Sequence, residues 1–237
     1  MEIITLTEAS STNTELASRA ASLPHGTVLS ARSQTAGRGQ RGNSWEAEPG
    51  KNLTFSLLLK PEGLDASRQF EISEAVALGI TAVLRRRLPG ADITVKWPND
   101  IYAGDLKICG ILIENVVSGR TLTRSIAGIG INVNQREFRS DAPNPVSMRQ
   151  IAGHDFDLDP LLREVVTEIL SLLGTDLHRR YLDSLYRRRG VWSFRDMLRD
   201  TEIQASIESV APTGTLQLRD SAGQLHEYAF KEVAFII

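Results

Sequence analysis

Apolar positions recur at helical spacing in some stretches and alternate in others, and the changes of period mark the elements of the chain. Leu16, Ala17, Ala20 and Leu23 share one helical face, and Pro24 and Gly26 stop that helix. Thr12 and Glu15 precede the stripe at the spacing of a capping box. Residues 27–33 and 52–59 read as strands on either side of a Gly- and Arg-rich loop, 34–50. Ile72, Val76, Ile80, Val83 and Leu84 mark a second helix over 68–88, ended by Pro89-Gly90. A short strand at 93–96 follows, then a hairpin of 106–117 and 121–134 joined at Ser118-Gly119. Residues 136–150 hold two prolines and read as a loop. Asp159-Pro160 has the form of an N-cap and first helical position. It opens a helix with Leu162, Val166, Ile169, Leu173 and Leu177 in its stripe, which runs on or breaks near Gly174.

After Gly190 the pattern becomes short strands, 203–210, 215–219, 225–230 and 232–237, separated by tight turns. The pattern predicts an α/β (α+β) domain over 1–190 and a small barrel-like β domain over 191–237. It contains no internal repeat.

Composition narrows the class. The chain has 237 residues with 41% hydrophobic, enough for a packed core, which excludes a disordered or fibrous protein. The 27 Lys and Arg nearly balance 29 Asp and Glu, which argues against a dedicated nucleic-acid binder. No apolar run approaches the roughly 20 residues of a membrane span. The N-terminus lacks the basic-then-apolar order of a secretory signal. A single cysteine, Cys109, allows no intramolecular disulfide and fits a reducing compartment. Together these predict a cytoplasmic protein with no membrane and no nucleic-acid partner. Only five of the cations are lysines, Lys51, Lys60, Lys96, Lys107 and Lys231, so each invites explanation.

Two segments carry candidate chemistry. In Gln34-Thr35-Ala36-Gly37-Arg38-Gly39-Gln40-Arg41-Gly42-Asn43-Ser44-Trp45, three glycines let the backbone approach a ligand. Arg38 and Arg41 supply charge-assisted bonds to carboxylate or phosphate, and Trp45 offers a flat face. The order fits neither a P-loop nor a dinucleotide fingerprint. In Lys96-Trp97-Pro98-Asn99-Asp100, a strand ends in a dense polar turn, and Lys107 then enters an apolar strand where its charge needs an anionic partner. Trp97 can be core and Asn99-Asp100 an Asx turn. Gly110 marks a bulge or a close approach of ligand to backbone. The four histidines have no metal-ligand spacing, and no Gly-x-Ser-x-Gly elbow occurs. Arg85–87 and Arg187–189 read as helix-end cations.

As an ordered set, Ser11-Thr12-Asn13, the Gly-Arg loop ending at Trp45, Lys96-Trp97-Pro98-Asn99-Asp100, Lys107-x-x-Gly110-Ile-Leu-Ile-Glu114 and Gly128-x-Gly130-Ile-Asn132-Val resembles the biotin–protein ligases. The resemblance implies a class II synthetase-like mixed sheet with helices, followed by an SH3-like barrel. It implies a biotin–[biotin carboxyl-carrier protein] ligase working in two steps. Biotin and ATP form biotinyl-5′-AMP, and biotin then passes to a lysine of a biotin carboxyl carrier domain. With Ser11 so near the start, it implies the monofunctional form without a DNA-binding domain.

Carried over by position, Ser11, Thr12 and Gln34 would address the biotin ring head, and Gly37, Arg38 and Gly110 would line biotin. Lys107 would bridge the biotin carboxylate and the α-phosphate, Asp100 would orient the acceptor lysine, and Arg38 would join them in catalysis. Arg41, Trp45 and Asn132 would meet the nucleotide, with Lys231 a further candidate from the small domain. Mg²⁺ would be held mainly by the nucleotide phosphates, with no protein-built metal site. Many members carry Arg where this chain has Gln40, which implies looser retention of the adenylate. The glycine-rich loop is expected to order on binding. A homodimer is left open. The rival readings are a lipoate–protein ligase and a biotin sensor without catalysis.

Overall fold

The computed structural model describes residues 1–40, 43–139 and 144–237. Seven strands form a mixed sheet: β1 (Ile3–Ala9), β2 (Val28–Gln34), β3 (Leu53–Leu59), β4 (Ile93–Lys96), β5 (Asp100–Ala103), β6 (Leu106–Ser118) and β7 (Thr121–Ile131). Their order is β1-β2-β3-β7-β6-β5-β4, with β1 parallel to β2 and the other pairs antiparallel. Side chains alternate across a strand, so each strand serves two faces. In β3, Phe55, Leu57 and Leu59 pack with helix α2 (Phe70–Arg87) and helix α4 (Leu158–Leu172) in the main core. Leu58 points the other way and packs with Leu16 and Ala20 of helix α1 (Thr12–Arg19) and its C-terminal cap. Thr54 and Ser56 share the Leu58 face, which is the face that carries the site.

A second sheet is fully antiparallel: β8 (Trp192–Asp196), β9 (Thr201–Val210), β10 (Leu216–Asp220), β11 (Leu225–Tyr228) and β12 (Val233–Phe235), in the order β11-β10-β9-β8-β12. This is the small C-terminal β unit that the pattern predicts. Its Phe194, Ile207, Leu216, Leu218 and Tyr228 run into the same apolar cluster as α2 and α4. The Trp97 indole Nε1 donates to the Gly214 carbonyl at 2.9 Å, tying the β4–β5 turn to the second sheet.

Several expectations need correction. Thr12 and Glu15 form no capping box: Ser11 is the N-cap, without a side-chain cap bond, and Thr12 is already helical. The Thr12 amide donates instead to Gln34 Oε1 at 2.8 Å, so a tertiary partner takes one of the free donors at the helix start. Helix α4 is capped at Asp157, two residues before Asp159, and stops at Leu172, with Gly174 at φ +74° just beyond. The 136–150 stretch contains a short helix, α3 (Met148–Ala152), with a Ser147–Gln150 capping box. Helix α5 (His178–Asp183) ends before Arg187–Arg189, which are therefore not helix-end cations. Arg188 donates to the Ile207 carbonyl, and Arg187 stacks on Tyr186 and Trp192. Arg86 and Arg87, by contrast, do close α2, and their ion pairs reach Glu164 and Glu168 of α4. Strands β1, β5 and β8 carry too few alternating apolar positions for the pattern to declare them.

Candidate active site

A cleft of about 1000 Å³ opens on the α1 face of the large sheet and is closed at one side by the second sheet. Its floor is low because three floor positions lack side chains. A Cβ on Gly128 would stand 2.3 Å from Asn13 Oδ1, and one on Gly130 would stand 2.3 Å from the Trp45 ring. Gly110 lies under the other edge of the same ring.

One end of the cleft is a neutral hydrogen-bonded chain. Gln34 Oε1 accepts from the Thr12 amide (2.8 Å) and hydroxyl (3.2 Å). Ser56 Oγ lies 2.8 Å from Thr12 Oγ1 and 2.6 Å from Asn13 Oδ1. Asn13 Nδ2 donates to Glu114 at 2.7 Å, and Glu114 in turn pairs with Arg38 at 2.8 Å. Ser11, Thr12 and Asn13 are all buried although they are polar.

The other end is charged. The β5–β6 register slips between Ile101 and Tyr102, so Ile108 is an extra residue on β6. That bulge changes the phase of the strand and brings Lys107 onto the face of Gly110. The bulge thus sits two residues before the glycine expected to mark it. Lys107 Nζ pairs with Asp100 Oδ1 at 2.7 Å and lies 5.8 Å from the Trp45 ring centroid. The anionic partner that the sequence demands for Lys107 is therefore supplied by the protein itself. Asn99 fixes the turn, exchanging bonds with the Ile111 backbone rather than forming an Asx turn alone. Lys96 faces Asp100 across the β4–β5 ladder. Burial pushes its ammonium below the usual lysine range, Asp100 opposes this, and Lys107 and Arg187 reinforce it.

Asn132 is buried beside Lys107. Its Nδ2 donates to the Val146 carbonyl at 3.1 Å, whereas its Oδ1 has no partner among the described residues. The Trp45 indole Nε1 is also buried without one. Cys109 lies behind the site, and burial drives its thiol well above the ordinary range, so it has no nucleophilic part.

The structure brings Ser11, Thr12, Gln34, Arg38, Trp45, Asp100, Lys107, Gly110 and Asn132 onto one cleft, with Lys231 at its edge. Gly37 is not on the wall: its carbonyl accepts from the Trp45 amide, so it shapes the loop that carries Trp45. Arg41 lies outside the described residues. Ser56, Asn13, Glu114 and Phe235 belong to the site without having been singled out for a role. The polar alternation of Thr54 and Ser56 within an otherwise apolar strand is the signal that could have found Ser56. Among the described residues no group of three or more His, Cys, Asp or Glu side chains forms a metal cage. No helix is long and apolar enough to cross a membrane.

Residues 5–132, which include every one of these positions except those of the second sheet, match the model of the biotin/lipoate A/B protein ligase family. The biotin–[acetyl-CoA-carboxylase] ligase of Paracoccus denitrificans is 33% identical over 162 residues, 66% of this chain and 67% of that protein. The bifunctional ligase/repressor BirA of Escherichia coli is 33% identical over 168 residues, 69% of this chain, and the match spans half of that longer protein. Among solved structures, the biotin protein ligase of Aquifex aeolicus in complex with biotin and ATP is 26% identical with a TM-score of 0.78. It covers 98% of this chain and 97% of that one. On sequence and on fold, this chain belongs to the biotin/lipoate A/B protein ligase family.

Proposed function

We propose that the chain is an ATP-dependent biotin–protein ligase, with a catalytic unit over 1–190 completed by the β unit over 191–237. The observation that carries this reading is the order of groups along one cleft: a neutral polar chain, then Lys107 with Asp100, then the free carbonyl of Asn132. That order matches a biotin ring, its carboxylate and an adenylate. The ureido ring is uncharged, donates through two N–H groups and accepts through one carbonyl, which suits Thr12, Gln34, Ser56 and Asn13. A dithiolane ring would have nothing to offer such a chain, so the lipoate reading is not favoured.

In the first step a biotin carboxylate oxygen bonds to the α-phosphorus of ATP. The bond to the β-phosphate bridging oxygen breaks, and its electron pair leaves with pyrophosphate. Two anions must meet, so positioning and cationic stabilisation are what the protein has to supply. Lys107 supplies the charge between carboxylate and α-phosphate. The Asn132 carbonyl accepts from the adenine amino group, and Trp45 flanks the nucleotide. In the second step the neutral amine of an acceptor lysine attacks the anhydride carbonyl, AMP leaves, and the amine proton is lost. Asp100, released from Lys107 as the phosphate takes over that cation, orients the incoming amine. Among the described residues the cleft is lined by two carboxylates, Asp100 and Glu46, and in this reading Mg²⁺ comes with the triphosphate as part of the substrate.

The partner that this reaction requires is a biotin carboxyl carrier domain, and the reading places the enzyme in the cytoplasm. The test is incubation with biotin, ATP, Mg²⁺ and an apo carrier domain, followed by mass spectrometry of the carrier. One added biotinyl group on a single lysine is expected. No addition, with a carrier that a known ligase does modify, overturns the reading.

A further inference from the structure

Five cations among the described residues line the cleft, Arg38, Lys96, Lys107, Arg139 and Lys231, against two carboxylates. Arg38 is held by Glu114, Lys107 by Asp100, and Arg139 lies within 4.0 Å of Glu137. Lys96 is different. Its Nζ has neither a carboxylate nor a hydrogen-bond acceptor among the described residues, and sits 5.1 Å from the Tyr102 ring centroid and 5.2 Å from that of Phe235. Two aromatic faces hold an ammonium in place without neutralising it. One of those faces comes from β12, so the second sheet fixes Lys96 where it stands. Asp100, opposite in the ladder, is already engaged by Lys107.

A half-buried, repelled and unpaired cation is costly unless a ligand completes it. Position says which part of the ligand. Across the sheet Ser56 of the neutral chain stands on β3, Lys107 on β6 and Lys96 on the edge strand β4, beside Phe235 of the second sheet, an order that suits ring, α-phosphate and the remaining phosphates. We propose that Lys96 is the anchor for the β- and γ-phosphates of ATP, and hence for the pyrophosphate that leaves in the first step. This rests on the ligase reading and deepens it. Lys96 serves adenylation and has no part in transfer, because pyrophosphate has gone before the acceptor lysine reacts.

The half-reactions separate the claim from a structural role. In Lys96→Met, which keeps the apolar stem between the two rings, biotin-dependent exchange of pyrophosphate into ATP should fall about 10²-fold. The KM for pyrophosphate should rise, and Lys96→Arg should restore much of both. Transfer from presynthesised biotinyl-5′-AMP to the apo carrier should stay within about threefold, with Lys107–Asp100 intact. Equal loss of transfer, or unchanged exchange, overturns the proposal. Calorimetric titration of inorganic pyrophosphate into the ligand-free chain reads the anchor without any chemistry. If the wild type exchanges nothing, the ligase reading fails. Binding that is lost in Lys96→Met would still establish the anion site, whereas equal binding by both proteins would remove it.

Discussion

The two ends of the cleft are built on opposite plans. At the Thr12–Gln34–Ser56–Asn13 end each polar group meets another at hydrogen-bonding distance, and the chain closes through Glu114 onto Arg38. At the other end, among the described residues, Lys96 has no counter-ion, and Trp45 Nε1 and Asn132 Oδ1 are buried without a hydrogen-bond partner. Buried polar atoms are normally satisfied, so orphans need a reason. The first end is prebuilt and exchanges internal bonds for similar ones when a neutral ring enters. The second end is left incomplete, and in the proposed reading a charged nucleotide would complete it. Orphaned atoms also occur away from the cleft, at Thr81, Thr94 and Tyr181 among others, so it is their coincidence with the unpaired Lys96 in one cleft that sets this end apart.

That contrast can be broken at either end. The largest expected effect is at the charged one: Lys107→Ala should lower pyrophosphate exchange about 10³-fold, with the thermal midpoint nearly unchanged. A collapse in the midpoint would mean that the Lys107–Asp100 pair is there for folding. Next is the floor of the neutral end. Gly128→Val places carbon where Asn13 Oδ1 stands, 2.3 Å from the first added atom. The strand and Asn13 cannot both keep their places, and biotin affinity should drop by about 10²-fold on calorimetric titration. Unchanged affinity would show that Asn13 does not shape the ring site.

Ser56→Ala removes one hydroxyl from a chain of four and should raise the KM for biotin about three- to tenfold with kcat kept. A fall in kcat instead would move Ser56 into the chemistry. Gln40→Arg adds a cation at the cleft edge and should slow release of biotinyl-5′-AMP a few-fold in a filter-binding chase; identical rates would leave Gln40 without a role in retention. The smallest effect distinguishes the ends by pH. Thr12, Gln34, Ser56 and Asn13 do not titrate, so the KM for biotin should be flat from about pH 6 to 9. Lys96, whose folded pKa is lowered from 10.5, loses its proton before the unfolded chain does. Adenylation should then halve at that folded value, below the ordinary lysine range. Over the same span conformational stability should rise, because neutralising Lys96 removes its burial cost while the unfolded chain still binds the proton. A thermal midpoint that falls through that range would contradict this.

Much of this was legible in the sequence, for stated reasons. Helix α2 and the β6–β7 hairpin show themselves because long stripes of Ile, Val and Leu repeat with one period. Most of the motif residues from Ser11 to Asn132 line one cleft, but Gly37 stands off its wall and Arg41 lies outside the described residues. What escaped is tertiary. Thr12 reads as a cap, yet Gln34, 22 residues away, claims its amide. Lys107 reads as a residue in need of an anionic partner, yet a bulge at Ile108 turns it toward Asp100. Phe235 looks like an ordinary apolar residue near the C-terminus, and only the placement of the second sheet makes it a wall for Lys96. Strand β5 was hidden by its length, four residues with Asp100 at the start.

The hydrogen bond from the Trp97 indole to Gly214 has a consequence for how this chain can be cut or recombined. The turn that carries Asp100 is gauged from below by β6 and from the side by a loop more than a hundred residues further along the chain. A shortened version ending near residue 190 would strip Trp97 of its Gly214 acceptor, remove Gly214 from the Phe70 ring against which it packs, and leave Lys96 without one of its two rings. Such a fragment would not be a catalytic unit lacking an accessory. The C-terminal unit is better regarded as one wall of the cleft, because it supplies Phe235 beside Lys96 and the carbonyl that holds Trp97.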